Sequence, residues 1–129
     1  AGQDRAPQWP AGIVGCISHT RHVCLAALSA GPEFLAIGID VEDDLDLPAD
    51  LIPEVCNLGE IAWLSVQPEH MRGRLARLIF SAKECAYKCQ YPVSKALLGF
   101  DAFDVTLDLD TGQFEATLTQ NVPGYAART

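Results

Sequence analysis

Two carboxylates, Asp40 and Glu42, stand one residue apart at the end of the apolar segment Phe34–Val41. A short apolar segment of this kind indicates a buried strand, and side chains two residues apart on a strand point to the same face. Buried carboxylates on one face repel each other unless a cation neutralises them. Mg²⁺ typically takes one or two carboxylates from a protein, so the pair predicts a magnesium site. A solvated acidic turn is the simpler alternative, since Asp43 and Asp44 follow directly.

A third carboxylate and a cation occur about forty residues later, in the segment Phe80–Lys88. Glu84 and Lys88 are four residues apart, so a helix would place them on one face. Such a pair is often only a surface ion pair of small energy, but the aromatic and small residues around it favour a helix packed on several sides. Lys83 adds a further positive charge that could serve phosphate oxygens. Three carboxylates and a lysine that converge would suit a hard cation and a phosphate group.

Ser18 and His19 close the apolar segment that begins at Ile13. A hydroxyl and an imidazole at the end of a strand could hold an anion. An ordinary turn is the alternative interpretation, because the polar residues Thr20 and Arg21 follow.

The elements that must position these residues follow from hydrophobic periodicity. The best helix extends from Pro68 to Tyr91, where apolar residues recur at helical spacing and Pro92 marks the end. Short helical pieces are expected between Leu51 and Trp63. The expected strands are Ile13–Ser18 and His22–Ser29 as a hairpin, Phe34–Val41, and a second hairpin of Phe103–Leu109 and Phe114–Leu118. This order predicts an α+β fold, with a long helix packed on a mostly antiparallel sheet.

Composition limits the classes of function. The chain of 129 residues has 9 basic and 17 acidic side chains and a formal net charge of −8, so it lacks the basic surface needed for non-specific nucleic-acid binding. No apolar run approaches the about 18 residues of a membrane span. The five cysteines form no CxxC pair, which favours a reducing, cytoplasmic compartment over a disulfide framework.

Three motifs in this order resemble a known family. They are Trp9-Pro10 with Gly15–Thr20, then Gly38–Glu42, then Phe80–Lys88 with Pro92. The sequence is similar to the 4′-phosphopantetheinyl transferase superfamily, and within its Sfp-like group it most resembles the enterobactin synthase component D branch. The resemblance implies one half of a two-half fold, and transfer of the phosphopantetheine arm of coenzyme A to a serine of an acyl or peptidyl carrier protein.

The resemblance also implies roles for individual residues. Asp40, Glu42 and Glu84 would hold Mg²⁺ beside the coenzyme A pyrophosphate, and Glu84 would also help deprotonate the carrier serine. Lys88 would contact the pyrophosphate and stabilise the leaving group. At the adenosine end, the implied contacts are Ser18, His19 and Arg5. The three arginines Arg72, Arg74 and Arg77 are candidates for a carrier-protein dock.

The length departs from the family pattern. Members usually have two similar halves with the site between them, so we expect residues 1–129 to be a single domain that lacks the N-terminal half and the C-terminal end. Completion of the site by a second copy is one possibility. A non-catalytic module that binds only coenzyme A or a carrier protein is another, and an unrelated Mg²⁺-dependent phosphohydrolase is a third. The enterobactin branch implies siderophore biosynthesis, although the residues do not identify the carrier protein.

Overall fold

The computed structural model describes residues 7–129. Arg5, one of the expected coenzyme A contacts, therefore lies outside the described residues. In chain order the elements are strands β1 (Ile13–His19) and β2 (Cys24–Ala30), helices α1 (Ile52–Val55), α2 (Leu58–Ser65) and α3 (Arg72–Ser94), and strands β3 (Phe103–Asp108) and β4 (Gln113–Leu118). Single 3₁₀ turns precede α3 and β3. The predicted α+β class is confirmed.

The four strands form two separate antiparallel hairpins. In the first, β1 pairs with β2 from Ile13 opposite Ala30 to His19 opposite Cys24. In the second, β3 pairs with β4, and their turn is closed by the Gly112 N–H on the Asp108 carbonyl at 2.9 Å. Gly112 has a φ of 71°, a left-handed conformation that glycine adopts without strain. Both predicted hairpins are confirmed, and both lie beside the long helix.

Helix α3 supplies the centre of the core. Its buried residues Leu75, Ala76, Ile79 and Ala82 recur at helical spacing, and together with residues of α1, α2 and β3 they form the main hydrophobic cluster. The position of the predicted helix is confirmed, but Pro92 does not end it. Helix α3 continues to Ser94, and Lys95 closes it with a φ of 57°. Because a proline in the last turn removes only one backbone hydrogen bond, the helix tolerates it there.

The predicted strand Phe34–Val41 is wrong. These residues form no regular element, and no strand of residues 7–129 pairs with them. Their polar contacts go instead to side chains, as when Ser18 accepts a hydrogen bond from the Val41 backbone N–H at 2.9 Å. A Cβ built on Gly38 would collide with the Cys85 carbonyl and lie 2.7 Å from the Cys89 nitrogen. The segment therefore lies directly on the backbone of α3, where only glycine leaves enough room.

Within residues 7–129, none of the helices combines the length and the apolar character that crossing a membrane requires.

Candidate active site

One face of α3 carries the polar residues of the candidate site. Arg77, Ser81, Glu84 and Lys88 follow one another at intervals of four, three and four residues, which a helix places in one row. The row faces the irregular segment 38–46 that the Gly38 contact holds against the helix. The carboxylates of the site thus lie between a helix and an irregular segment of the chain.

Asp40 is the most buried carboxylate of this site, with a side chain that is only 4 % exposed. Its Oδ1 accepts a hydrogen bond from the Lys88 ammonium at 3.0 Å, and its Oδ2 accepts one from the Ser81 hydroxyl at 2.9 Å. Both oxygens are therefore satisfied by neighbours on α3. This pairing brings together two of the residues that sequence analysis selected, Asp40 and Lys88.

Ser18 joins the first hairpin to the same cluster. It is buried at the end of β1, and its hydroxyl oxygen accepts hydrogen bonds from the Lys88 ammonium at 3.2 Å and from the Val41 N–H. His19 is exposed and lies on the opposite face of β1, as strand alternation requires. The structure therefore gathers Ser18, but not His19, into the carboxylate cluster.

Glu42 lies within hydrogen-bonding reach of Asp40. Burial is the main reason that the pKa of Glu42 rises to about 7, and the hydrogen bond and charge of Asp40 and the charge of Glu84 raise it further. Arg77 opposes this rise, because its guanidinium lies 3.3 Å from Oε1 of Glu42. The arrangement concentrates negative charge that one arginine only partly offsets.

Glu84 is half-buried on the same row of α3. Burial, followed by the negative charge of Asp40, raises the pKa of its carboxyl group, whereas Lys88 lowers it. The three carboxylates Asp40, Glu42 and Glu84 thus interact electrostatically, as the sequence predicted that they could.

The donor chemistry suits Mg²⁺. Asp40 and Glu42 offer hard oxygen donors side by side, and Mg²⁺ commonly takes one or two protein carboxylates. Within residues 7–129, no three His, Cys, Asp or Glu side chains are already gathered as the ligands of one ion. Asp40 and Glu42 are therefore the two carboxylates that could hold such an ion, with Glu84 farther along the row.

Two clefts border the cluster. One, of about 200 Å³, is lined by Glu84, Tyr87, Lys83 and apolar residues of the segment Leu98–Phe103. The other, of about 420 Å³, lies between β1 and the second half of α3 and includes Trp9, Tyr87 and Lys88. Glu84 and Lys88 each face a space that a ligand could enter.

Lys83 has a different role from the one expected. Its side chain is 1 % exposed, and its ammonium donates to Glu60 at 2.7 Å and to the Val55 and Phe100 carbonyls at 2.8 and 3.1 Å. All three ammonium hydrogens are thereby used inside the core. The expectation that Lys83 serves phosphate oxygens is wrong, because its ammonium group is already bound by Glu60 and two backbone carbonyls.

Sequence reasoning missed Ser81 and the link between Arg77 and Glu42. The sequence did contain a signal, since Ser81 and Arg77 continue the Glu84–Lys88 row toward the N-terminus at helical spacing.

The three arginines expected to form a carrier-protein dock already have partners within the chain. Arg72 donates to the Gln67 and Ser65 carbonyls, and Arg74 pairs with Asp44 at 3.4 Å.

Two family models match stretches of this chain. Residues 36–128 match the model of the 4′-phosphopantetheinyl transferase superfamily, and residues 1–29 match that of the 4′-phosphopantetheinyl transferase N-terminal domain. The first match contains Asp40, Glu84 and Lys88, and the second contains Ser18. The cluster therefore joins residues from both matched parts. The expectation of a single domain without the N-terminal half stays a prediction.

Relatives from several bacteria match most of the chain. The 4′-phosphopantetheinyl transferase Npt of Nocardia iowensis is 33 % identical over 115 residues, which are 89 % of this chain and 51 % of the relative. Svp of Streptomyces mobaraensis is 35 % identical over 124 residues, 95 % of this chain and 50 % of the relative. Enterobactin synthase component D of Salmonella typhimurium is 35 % identical over 109 residues, 81 % of this chain and 43 % of the relative.

The chain thus spans about half the length of the relatives that it matches. The superfamily model covers most of its residues, including the long helix and the segment that carries Asp40. The chain therefore belongs to the 4′-phosphopantetheinyl transferase superfamily.

Proposed function

We propose that the chain takes part in transferring the 4′-phosphopantetheine arm of coenzyme A to a serine of an acyl or peptidyl carrier protein, in a Mg²⁺-dependent reaction. The single observation that carries this proposal is the burial of Asp40 between Lys88 and Ser81, next to Glu42 and Glu84. The carboxylates of that arrangement could bind a divalent cation, and the Lys88 ammonium group beside them could bind a pyrophosphate.

In the proposed reaction, the carrier serine oxygen bonds to the phosphorus that bears pantetheine. The bond from that phosphorus to the bridging oxygen breaks, and adenosine 3′,5′-bisphosphate leaves. Glu84 takes the serine proton, directly or through water, since a carboxylate beside the reacting groups can act as a general base. Lys88 stabilises the charge that develops on the leaving group.

Asp40 and Glu42 would hold the cation, with Glu84 as a third ligand. A bound Mg²⁺ would neutralise pyrophosphate charge and align the reacting groups. In this scheme Lys88 turns from Asp40 toward the pyrophosphate, since its side chain is already 29 % exposed. His19, Ser18 and Arg5 remain the proposed contacts for the adenosine end, with Ser18 acting chiefly through its hydrogen bond to Lys88.

The proposal extends to partners and location. The carrier protein and coenzyme A are the proposed partners, and self-association would let two copies complete a site. The resemblance to an enterobactin synthase component favours a carrier from siderophore biosynthesis. Five free cysteines support a reducing compartment, so we propose the cytoplasm.

The direct test is transfer to an apo carrier protein with coenzyme A and Mg²⁺, followed by mass spectrometry of the carrier. Asp40→Ala and Glu84→Gln should each reduce the rate by at least about a hundredfold, since each removes a charge at the reacting groups. Glu69→Gln, an exposed carboxylate before α3, is the matched control and should keep the full rate. Transfer that persists at full rate in Asp40→Ala would contradict the assignment.

A non-catalytic module is the second candidate, and the observation that favours it is the chain's coverage of about half of each relative. Such a module would bind coenzyme A or a carrier protein without transfer. Isothermal titration calorimetry measures whether the chain binds coenzyme A with and without Mg²⁺, and an inert domain would bind it in neither case. Metal-dependent binding without any transfer would select the module.

A further inference from the structure

Arg77 connects α3 to the acidic segment at three points. Its Nη1 donates to Oε1 of Glu42 at 3.3 Å, its Nε donates to the Leu45 carbonyl at 3.2 Å, and its Nη2 donates to the Asp46 carbonyl at 3.3 Å. The guanidinium also lies over the Phe80 ring, 5.7 Å from its centroid. Three nitrogens of one planar group thus contact a loop that is more than thirty residues away in sequence.

These contacts fix the arginine itself. A guanidinium that is held by two carbonyls and an aromatic face has little freedom to follow a moving carboxylate. Glu42 is therefore drawn to a fixed position, and only one of its two oxygens is engaged by Arg77. The Glu42 carboxyl group also lies within hydrogen-bonding reach of Asp40.

Without this anchor the like charges would separate. Asp40 and Glu84 both repel a charged Glu42, and the segment that follows, with Asp43, Asp44 and Asp46, adds more negative charge. Other contacts hold the loop to α3 on either side of Glu42, but within residues 7–129 only Arg77 forms a salt bridge with the Glu42 carboxylate itself. One of these other contacts is the Leu47 N–H on the Gly73 carbonyl at 3.0 Å.

We propose that Arg77 is a positioning residue that holds the Glu42 carboxylate beside Asp40 and thereby raises the affinity of this pair for a divalent cation. The proposal rests on the proposed function for the identity of the cation site. Arg77 does not touch the reacting groups in this scheme. It acts through Glu42, as residues that orient metal ligands generally do.

Arg74 offers a matched control on the same helix. It also pairs with the acidic loop, at 3.4 Å from Asp44 and 3.8 Å from Asp46, but it does not contact Glu42. Loss of Arg74 removes the same formal charge from a position three residues before Arg77 on α3. A difference between Arg77 and Arg74 variants therefore reports on the Glu42 contact and not on net charge.

The experiment is a titration of residues 1–129 with Mn²⁺, in which free Mn²⁺ is measured by electron paramagnetic resonance without coenzyme A or carrier protein. Arg77→Gln should weaken Mn²⁺ binding about tenfold or more, the usual range for residues that orient metal ligands. Arg77→Lys should fall between wild type and Arg77→Gln, because lysine keeps the charge but not the planar contacts. Arg74→Gln should stay within about twofold of wild type.

A double-mutant cycle with Glu42→Gln completes the test. If Arg77 acts through Glu42, adding Arg77→Gln to Glu42→Gln should not weaken Mn²⁺ binding further. Circular dichroism of every variant verifies folding, and Arg77→Lys carries the test if Arg77→Gln does not fold. Unchanged Mn²⁺ affinity in Arg77→Gln, equal losses in Arg74→Gln, or no Mn²⁺ binding by the wild-type chain would each overturn the proposal.

The cation measurement and the transfer assay fail independently. Loss of transfer with normal Mn²⁺ binding would count against the proposed reaction but leave the role of Arg77 intact. Normal transfer together with wild-type Mn²⁺ binding by Arg77→Gln would count against the role of Arg77 but leave the proposed reaction intact.

Discussion

Lys83 and Glu60 form an ion pair that is almost closed to solvent, with 1 % and 4 % of their side chains exposed and 2.7 Å between Nζ and Oε1. Glu60 also accepts hydrogen bonds from the backbone N–H groups of Asn57 and Val105. The pair therefore connects α3 to the start of α2 and to β3. This network fixes the helix that carries the candidate site.

Removal of Lys83 should be strongly destabilising. Lys83→Met would leave Glu60 buried and unpaired, which costs about 3–5 kcal/mol of unfolding free energy. Urea unfolding followed by circular dichroism measures the loss. The double variant Lys83→Met/Glu60→Gln should recover part of it, because no buried charge remains. A Lys83→Met variant as stable as wild type would show that the pair is not structural.

Gly38→Ala should disrupt the contact between segment 38–42 and α3. The added Cβ would collide with the Cys85 carbonyl, a backbone atom that cannot turn aside, so we expect a loss of about 1–3 kcal/mol. Gly59→Ala is the control, because a Cβ there meets no atom closer than 3.5 Å. It should leave stability unchanged or slightly raised, since alanine favours helix. Thermal unfolding compares the two variants.

Ser18→Ala should lower the free energy of unfolding and remove one hydrogen-bond acceptor of Lys88. Without the hydroxyl, the Val41 N–H loses its acceptor, at a cost of about 1 kcal/mol for a partly buried donor. His19→Ala, on the exposed face of the same strand, should change stability by less than about 0.5 kcal/mol. Denaturant unfolding measures both, and equal effects would contradict the separation of the two faces.

The stability of the protein should decrease as the pH rises from about 5 to 8. The folded state raises the pKa of Glu42 from 4.5 to about 7 through burial and then Asp40, so between these values the folded chain binds more protons than the unfolded chain. This contribution is complete below about pH 4.5 and is lost as pH rises through about 7. Glu84, whose pKa is also raised, acts in the same direction.

Melting temperature measured across this pH range tests the sign. Glu42→Gln should flatten the dependence without abolishing it, because Glu84 remains. A melting temperature that rises with pH over the same range would contradict the raised pKa values of Glu42 and Glu84. Added Mg²⁺ should reduce the dependence if the cation binds this pair.

The cysteines should differ in reactivity. Cys24 is exposed on β2, whereas burial raises the pKa of Cys56 and of Cys85 to about 11. Because the thiolate is the reactive form, iodoacetamide at pH 8 should modify Cys24 first. Peptide mass spectrometry after short exposure measures the order. Faster modification of Cys85 than of Cys24 would mean that segment 38–42 opens readily from α3.

The sequence predicts the elements that have a strong local signal. The helical spacing of Leu75, Ile79 and Ala82 locates α3, and the Asp110–Gly112 turn locates the second hairpin. Both signals are encoded within a few consecutive residues. The grouping of Asp40 with Lys88 also follows from residue type and from the family motifs.

The remaining features depend on contacts between distant residues. Segment Phe34–Val41 has the composition of a strand but no strand beside it, and no local pattern reveals the missing partner. Lys83 resembles a solvent-exposed residue in sequence, and only its acceptors at Val55, Glu60 and Phe100 make its burial possible. Similarly, the three contacts of Arg77 join residues separated by more than thirty positions.

The adjacency of Lys83 and Glu84 on α3 limits how the chain can change in length. Successive helical residues are about 100° apart around the axis, and here one neighbour belongs to the core while the next faces the cleft. Inserting or deleting one residue between Ser81 and Lys83 would rotate all later side chains by that angle, turning Lys83 from its acceptors and Lys88 from Asp40. Substitutions can alter single contacts in this stretch, but any change in its length would alter the core and the site together.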